Sequence, residues 1–203
     1  MSGNEILQYL FTLSIFLVSL SVHEFAHAWT AYKFGDMTAK NMGRLTLNPV
    51  AHISLIGTIL MPVLIGFGWA KPVPVDFSIL SKKQVFMVAA AGPLSNILTA
   101  LVLTACFHIL PSSALLLVGE FILLAIFFNF ILAAFNLLPI PPLDGSRMVY
   151  AWLKSPYAIN IYNEISRFGL IILLVFLWRG GFVRIVHPVV SALFSLLRLP
   201  PVF

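Results

Sequence analysis

The chain has 203 residues, of which 60% are hydrophobic and 9% charged, with a mean hydropathy of +1.01 and a formal charge of +5. A water-soluble domain carries about 25% charged residues, so this composition excludes a cytosolic enzyme, a disordered regulator and a secreted disulfide scaffold. The 12 Lys and Arg stand singly or in pairs between apolar stretches, which is the pattern of topology determinants. The expected neighbour is therefore the lipid bilayer, and nucleic acid is not an expected partner.

The first apolar run covers residues 6–31. Met1-Ser2-Gly3-Asn4-Glu5 before it holds no positive charge, and no cleavage site of small residues follows, so a retained membrane helix is expected rather than a removable signal. Gly43-Arg44-Leu45-Thr46-Leu47-Asn48-Pro49 alternates and ends in Asn-Pro, as a short strand and turn would. The stretch 53–69 is short and broken by Gly57, Pro62, Gly66 and Gly68, which suits a re-entrant hairpin better than a span. Runs 85–110 and 115–138 each exceed the roughly 20 residues needed to cross the hydrocarbon core. Two further apolar segments lie at about 165–178 and 185–199. The expected fold is an all-α polytopic membrane bundle with a short strand or re-entrant hairpin near 43–69. It forms one membrane domain over 1–203, with its core at 6–150. Cys106 is the single cysteine and sits in an apolar run, so no internal disulfide can form.

Charge placement gives the orientation. Segments 33–44 and 71–83 contain Lys33, Lys40, Arg44, Lys71, Lys82 and Lys83, whereas the first 32 residues have neither Lys nor Arg. The positive-inside rule puts the N-terminus outside and both basic segments in the cytoplasm, as in a multi-pass protein of the plasma membrane.

The chemistry is concentrated in His23-Glu24-Phe25-Ala26-His27. On a helix, positions i and i+4 share a face, so both imidazoles reach one metal ion. Glu24 lies one residue round from His23, close enough to contact a metal-bound water without being a ligand. That is the arrangement of a zinc hydrolase, in which zinc acidifies a water and a carboxylate takes its proton. The competing reading is a pair of bundle-facing histidines satisfied by hydrogen bonds, but three ionisable groups in one span make it costly. A catalytic zinc needs a third ligand. The candidate is Asp144, in Asn136-Leu137-Leu138-Pro139-Ile140-Pro141-Pro142-Leu143-Asp144-Gly145, where three prolines stop a long apolar helix. Alone, Asp144 would pass for a helix cap.

Taken together, His23-Glu24-x-x-His27 and Asn136-x-x-Pro139-x-x-x-Leu143-Asp144-Gly145 resemble the site-2 protease family of intramembrane zinc metalloproteases. Asn48-Pro49-x-x-His52 and Ala91-Gly92-Pro93-x-x-Asn96 resemble stretches found between the two motifs in that family, although position 54 is Ser where many relatives carry an acidic residue. The resemblance covers about residues 6–150. It implies one zinc ion per chain held by His23, His27 and Asp144, Glu24 as general base, and hydrolysis of a peptide bond in a transmembrane protein substrate. The topology agrees. His23 lies 17 residues after Ile6, about 26 Å along the helix at 1.5 Å per residue. Asp144 joins it only if the chain crosses an even number of times between the motifs, which 85–110 and 115–138 provide if 53–69 does not cross.

Secondary candidates are weaker. Asn136 and Asn96 are expected to bind substrate or stabilise the oxyanion, or else to bond neighbouring helices. Asn129 shares a helix face with Asn136. The edge formed by Arg44, Leu45, Thr46 and Leu47 could pair with unwound substrate. His52 reads as a satisfied loop histidine, His108 and His187 as interfacial, and Glu120 as reaching the outer interface. Two other classes compete with the protease reading: a membrane metal transporter, and a catalytically inactive relative that binds membrane helices.

Overall fold

A computed structural model of the protein describes residues 3–54, 57 and 71–201. Helix α1 spans Gly3–Lys33 without an internal proline. Its serines do not disturb it: Ser14, Ser19 and Ser21 donate to the carbonyls of Phe11, Ile15 and Leu17 on the preceding turn, so none of these three hydroxyls is left bare in an apolar setting. After the short helix α2 (Thr38–Asn41) and a turn at Pro49–His52, helix α3 runs over Lys82–Ile109. Ser81 and Gln84 form a reciprocal capping box that fixes its start. Helix α4 follows over Ser112–Asn136. Shorter helices α5 (Asp144–Trp152), α6 (Pro156–Arg167), α7 (Gly169–Trp178) and α8 (His187–Leu196) complete the chain, with a π-helical stretch at Phe182–Val186 leading into α8.

Helices α1, α3 and α4 are long and apolar enough to cross a membrane, and α6 with α7 makes a fourth candidate bent by 64°. Their outward side chains suit lipid: Ile109, Leu116 and Leu117 are each more than three-quarters exposed. Helix α3 sits at the centre, packed against α1, α4 and α5. Small buried residues on it, Ala89, Ala90, Gly92 and Ala100, let its neighbours approach closely. The largest core joins α3 and α4 to the C-terminal elements through Ile126, Phe130, Leu173, Val186, Val190 and Phe194.

Two expectations need adjusting, and a third falls outside the described residues. No strand forms at 43–49, and none exists among the described residues. Backbone that would pair in a ladder is instead held by side chains, with Arg44 Nη2 donating to the carbonyl of Lys71 at 2.7 Å and His52 Nε2 donating to that of Thr46 at 2.9 Å. The helix expected at 165–178 begins earlier, at Pro156, and is broken at Phe168. The proposed hairpin at 53–69 lies almost wholly outside the described residues. On either side of it, Lys71 N donates to His52 O at 3.0 Å.

Candidate metal centre

The site is built on the antiparallel contact of α1 and α3. Read down α1 from His27 through His23 to Ser19, the partners on α3 rise from Val88 to Asn96. His27 Nδ1 lies 2.7 Å from Val88 O, His23 Nδ1 lies 2.6 Å from Asn96 Oδ1, and Asn96 Nδ2 lies 3.1 Å from Ser19 O. The step of four from His27 to His23 meets a step of eight on α3, from Val88 to Asn96 with Gly92 between them, so each imidazole faces its own partner.

Between them the third residue enters from α5. His23 Nε2, His27 Nε2 and Asp144 Oδ2 form a triangle with all three sides 3.1 Å. A tetrahedral shell with ligand bonds of about 2.0–2.1 Å has edges of about 3.3–3.4 Å, so the triangle is close to one face of such a shell. The proton inventory sharpens the fit. A backbone carbonyl can only accept, so His27 Nδ1 must carry the hydrogen that it shares with Val88 O. In the neutral ring its Nε2 is then a bare lone pair. His23 is in the same state, since its Nδ1 faces an amide oxygen. Two lone pairs and a carboxylate oxygen converging at 3.1 Å repel one another unless a cation lies among them. Imidazole nitrogen with carboxylate oxygen is a donor set suited to zinc.

Two glycines permit this convergence. A Cβ on Gly92 would stand 2.3 Å from His27 Nε2 and 2.7 Å from His23 Nε2, so any side chain there would enter the triangle. A Cβ on Gly145 would meet the Leu137 carbonyl oxygen at 2.2 Å, so the start of α5 can tuck beneath the end of α4 only with glycine there. That tuck delivers Asp144, the least buried corner of the triangle, to α1 across 117 positions of sequence.

Glu24 is buried, and its Oε2 accepts the N–H of Val73 at 2.7 Å. Val73 belongs to a segment that passes beside the site and is tied down repeatedly. Lys71 N donates to His52 O, Arg44 donates to the Lys71 and Pro72 carbonyls, and Asp76 N donates to Asp36 Oδ2 at 2.8 Å. Asp36, just beyond α1, also accepts from Thr38 N at 2.9 Å. Burial alone would raise its carboxyl pKa, but the bonds from Thr38 and the Asp76 N–H outweigh burial and hold it below the usual value.

The remaining candidates separate by position. Asn96 is fully buried at the back of His23, with its amide nitrogen committed to Ser19 O and to Asn129 Oδ1. It does not face an open space where substrate could lie. Asn129 is buried between Asn96 and Ser19. Asn136 is half-buried near the end of α4 and donates to Leu132 O at 2.9 Å. Leu45 is half-buried against Ala28, Ala39 and Val73, Thr46 is half-buried, and Leu47 is exposed. His52 is buried in its loop, away from the triangle. Exposed His108 donates to Leu197 O, while His187 at the start of α8 and Glu120 more than two turns into α4 are also exposed. Sequence reasoning missed Val73 and Asp36, and it noted Gly92 only within the Ala91-Gly92-Pro93 stretch, not at the centre. The four-residue spacing of Val88, Gly92 and Asn96 was the available signal, because it puts all three on one face of α3.

Comparison with known proteins follows the same lines. Residues 11–116 and 111–180 match Peptidase family M50. YwhC of Bacillus subtilis strain 168 is 41% identical over 168 residues, covering 78% of this chain and 76% of its own. Rip2 of Mycobacterium tuberculosis H37Rv is 34% identical over 166 residues, covering 78% of this chain and 63% of its own. MJ0611 of Methanocaldococcus jannaschii is 29% identical over 159 residues, covering 73% and 77%. All three bear the name "putative zinc metalloprotease". The chain thus spans about three-quarters of the bacillary and archaeal relatives and under two-thirds of the mycobacterial one. No solved structure gives a significant match. With its paired histidines, distant aspartate and apolar helices in place, this multi-pass membrane protein belongs to peptidase family M50.

Proposed function

We propose that the protein is an intramembrane zinc metalloprotease that hydrolyses a peptide bond in or near the transmembrane segment of a membrane-protein substrate. The observation that carries this reading is the convergence of His23, His27 and Asp144 within 4.8 Å of one another, beside Glu24, on a helix apolar enough to cross a bilayer. In this reading His23 Nε2, His27 Nε2 and Asp144 Oδ2 hold one zinc ion, which supplies Lewis acidity and a nucleophilic water at neutral pH. Glu24 takes a proton from the attacking water and returns it to the leaving amine. The Val73 N–H holds one carboxylate oxygen of Glu24, so the other is the one aimed at water. Asn136, with a second amide hydrogen to offer, is the donor proposed for the developing oxyanion. A helical substrate must unwind before its peptide bonds can be attacked, and the Leu45–Leu47 stretch is the edge proposed to receive it.

Orientation follows from charge. Lys33, Lys40, Lys71, Lys82 and Lys154 all lie in segments that flank the metal-centre end of α1 and α3, which supports a cytoplasmic site and an outside N-terminus in the plasma membrane. The test is cleavage of model single-span substrates in proteoliposomes, with zinc measured on the same samples. Wild type should cleave. Glu24→Gln should keep about one zinc and lose cleavage, and cleavage that survives in Glu24→Gln would overturn the assignment of the base. Metal flux across the vesicle wall without cleavage would instead support a transporter.

A further inference from the structure

Behind His23 lies a buried polar chain that the proposed mechanism does not use. Ser19 on α1, Asn96 on α3 and Asn129 on α4 are all nearly inaccessible, and each comes from a different spanning helix. Their bonds run in one direction. Asn129 Nδ2 donates to Ala125 O at 2.8 Å and to Ser19 Oγ at 2.9 Å, while Ser19 Oγ donates onward to Ile15 O. Asn96 Nδ2 donates to Asn129 Oδ1 at 2.8 Å and to Ser19 O at 3.1 Å. Asn96 Oδ1 is left for His23 Nδ1 at 2.6 Å.

Backbone carbonyls set that direction. Ala125 O only accepts, so the amide end of Asn129 facing it is nitrogen and the end facing Asn96 is oxygen. That oxygen, with Ser19 O beside it, forces Asn96 to present nitrogen there and oxygen to His23. An acceptor at His23 Nδ1 requires a hydrogen on Nδ1 and leaves the lone pair on Nε2, at the triangle. His27 reaches the same state more directly, through Val88 O. The two histidines are therefore set by different means: one by a helix backbone, the other by an amide relay through three helices.

We infer that Asn96 is a positioning residue for the metal site. Oriented by Asn129 and Ser19, it fixes the tautomer of His23 and so keeps the Nε2 lone pair directed at the ion. The inference rests on the metal-site reading above. Groups that orient a ligating histidine are typically worth 10–100-fold in metal affinity. A reach through Asn129, which touches neither histidine, is what distinguishes a relay from simple packing.

The experiment measures zinc affinity by chelator competition, and the absorption spectrum of the cobalt(II)-substituted protein, on detergent-purified full-length chain. Wild type, Asn96→Leu, Asn129→Leu and the double variant are compared. Asn96→Leu should weaken zinc about 10–100-fold and alter the cobalt spectrum. Asn129→Leu should weaken it by a smaller factor, roughly threefold to tenfold, because it removes only the support of the amide. In the Asn96→Leu background, Asn129→Leu should add no more than about twofold, since nothing is left for it to orient. Zinc affinity unchanged in Asn96→Leu, no effect of Asn129→Leu alone, or full additivity in the double variant would each overturn the relay. Failure of wild type to bind zinc would sink the metal site instead, which keeps the two failures distinct. If a leucine variant does not fold, nitrogen-15 NMR of histidine-labelled, zinc-free wild type decides, since no metal then selects the tautomer. A hydrogen on His23 Nδ1 supports the inference, and a bare Nδ1 refutes it.

Discussion

Gly92→Ala is the sharpest test of the centre, because one methyl group is predicted to empty it. The added Cβ would lie 2.3 Å from His27 Nε2 and 2.7 Å from His23 Nε2. An ordinary carbon–nitrogen contact is about 3.4 Å, so the His27 nitrogen must retreat by about 1.1 Å. Metal sites tolerate about 0.2 Å in ligand distance, so the displacement is roughly five times what a bound ligand can absorb. Neither side yields easily. The methyl projects from the α3 backbone, and His27 is tethered through Nδ1 to Val88 of that same helix. Loss of a ligand exceeds the loss of a group that merely orients one, so zinc affinity should fall by at least about 100-fold. Zinc content and chelator competition on purified protein read this directly. Gly119→Ala on α4 is the control: its Cβ would find its nearest neighbour at 3.6 Å, an ordinary contact, and should leave zinc binding unchanged. Wild-type zinc affinity in Gly92→Ala would refute the placement of α3 against the two histidines.

Three other outcomes follow from the same geometry. Asp36→Asn can satisfy either Thr38 N or Asp76 N but not both, so it should cost about 1–3 kcal/mol at neutral pH, read by thermal unfolding in detergent. The wild-type Asp36 carboxyl is depressed on folding. Its contribution is therefore full above the unfolded value of about 3.9 and lost as pH falls through the folded value, so the gap between variant and wild type should narrow on acidification. Stripping zinc with a chelator should lower the melting temperature of wild type, because zinc at about 1,000 times its Kd would stabilise the fold by about 4.1 kcal/mol. Asp144→Ala should melt at the same temperature with or without added zinc, and a zinc response retained in that variant would remove Asp144 from the ligand set.

Much of the centre could be read from residues alone because its signals are local. His23 and His27 declare themselves by helical spacing, and the three runs that became α1, α3 and α4 declare themselves by length. Asp144 was within reach through parity: if 53–69 does not cross, two crossings bring the chain back to the side it left. What stayed hidden depends on which face of α3 meets α1, a matter of packing that no window of sequence carries. Asn96 looked equally suited to substrate and to a neighbouring helix until His23 was seen at 2.6 Å. Val73 carries no signal at all, since its contribution to Glu24 is a backbone N–H that any non-proline residue would supply. The expected strand at 43–49 failed for a related reason. Alternation gives a segment the pattern to pair, but pairing needs a free partner, and Arg44 and His52 had already claimed the carbonyls at hand.

The arrival of Asp144 from 117 positions beyond His27 also orders events in time. A growing chain that has made only α1 exposes two histidines and a glutamate without the proposed third ligand. The hairpin of α3 and α4 must then enter the bilayer, and the proline-rich stretch after it must emerge, before the triangle can close. The chemistry of the first helix is thus withheld until the bundle around it exists, and the newborn protein acquires its cutting edge last.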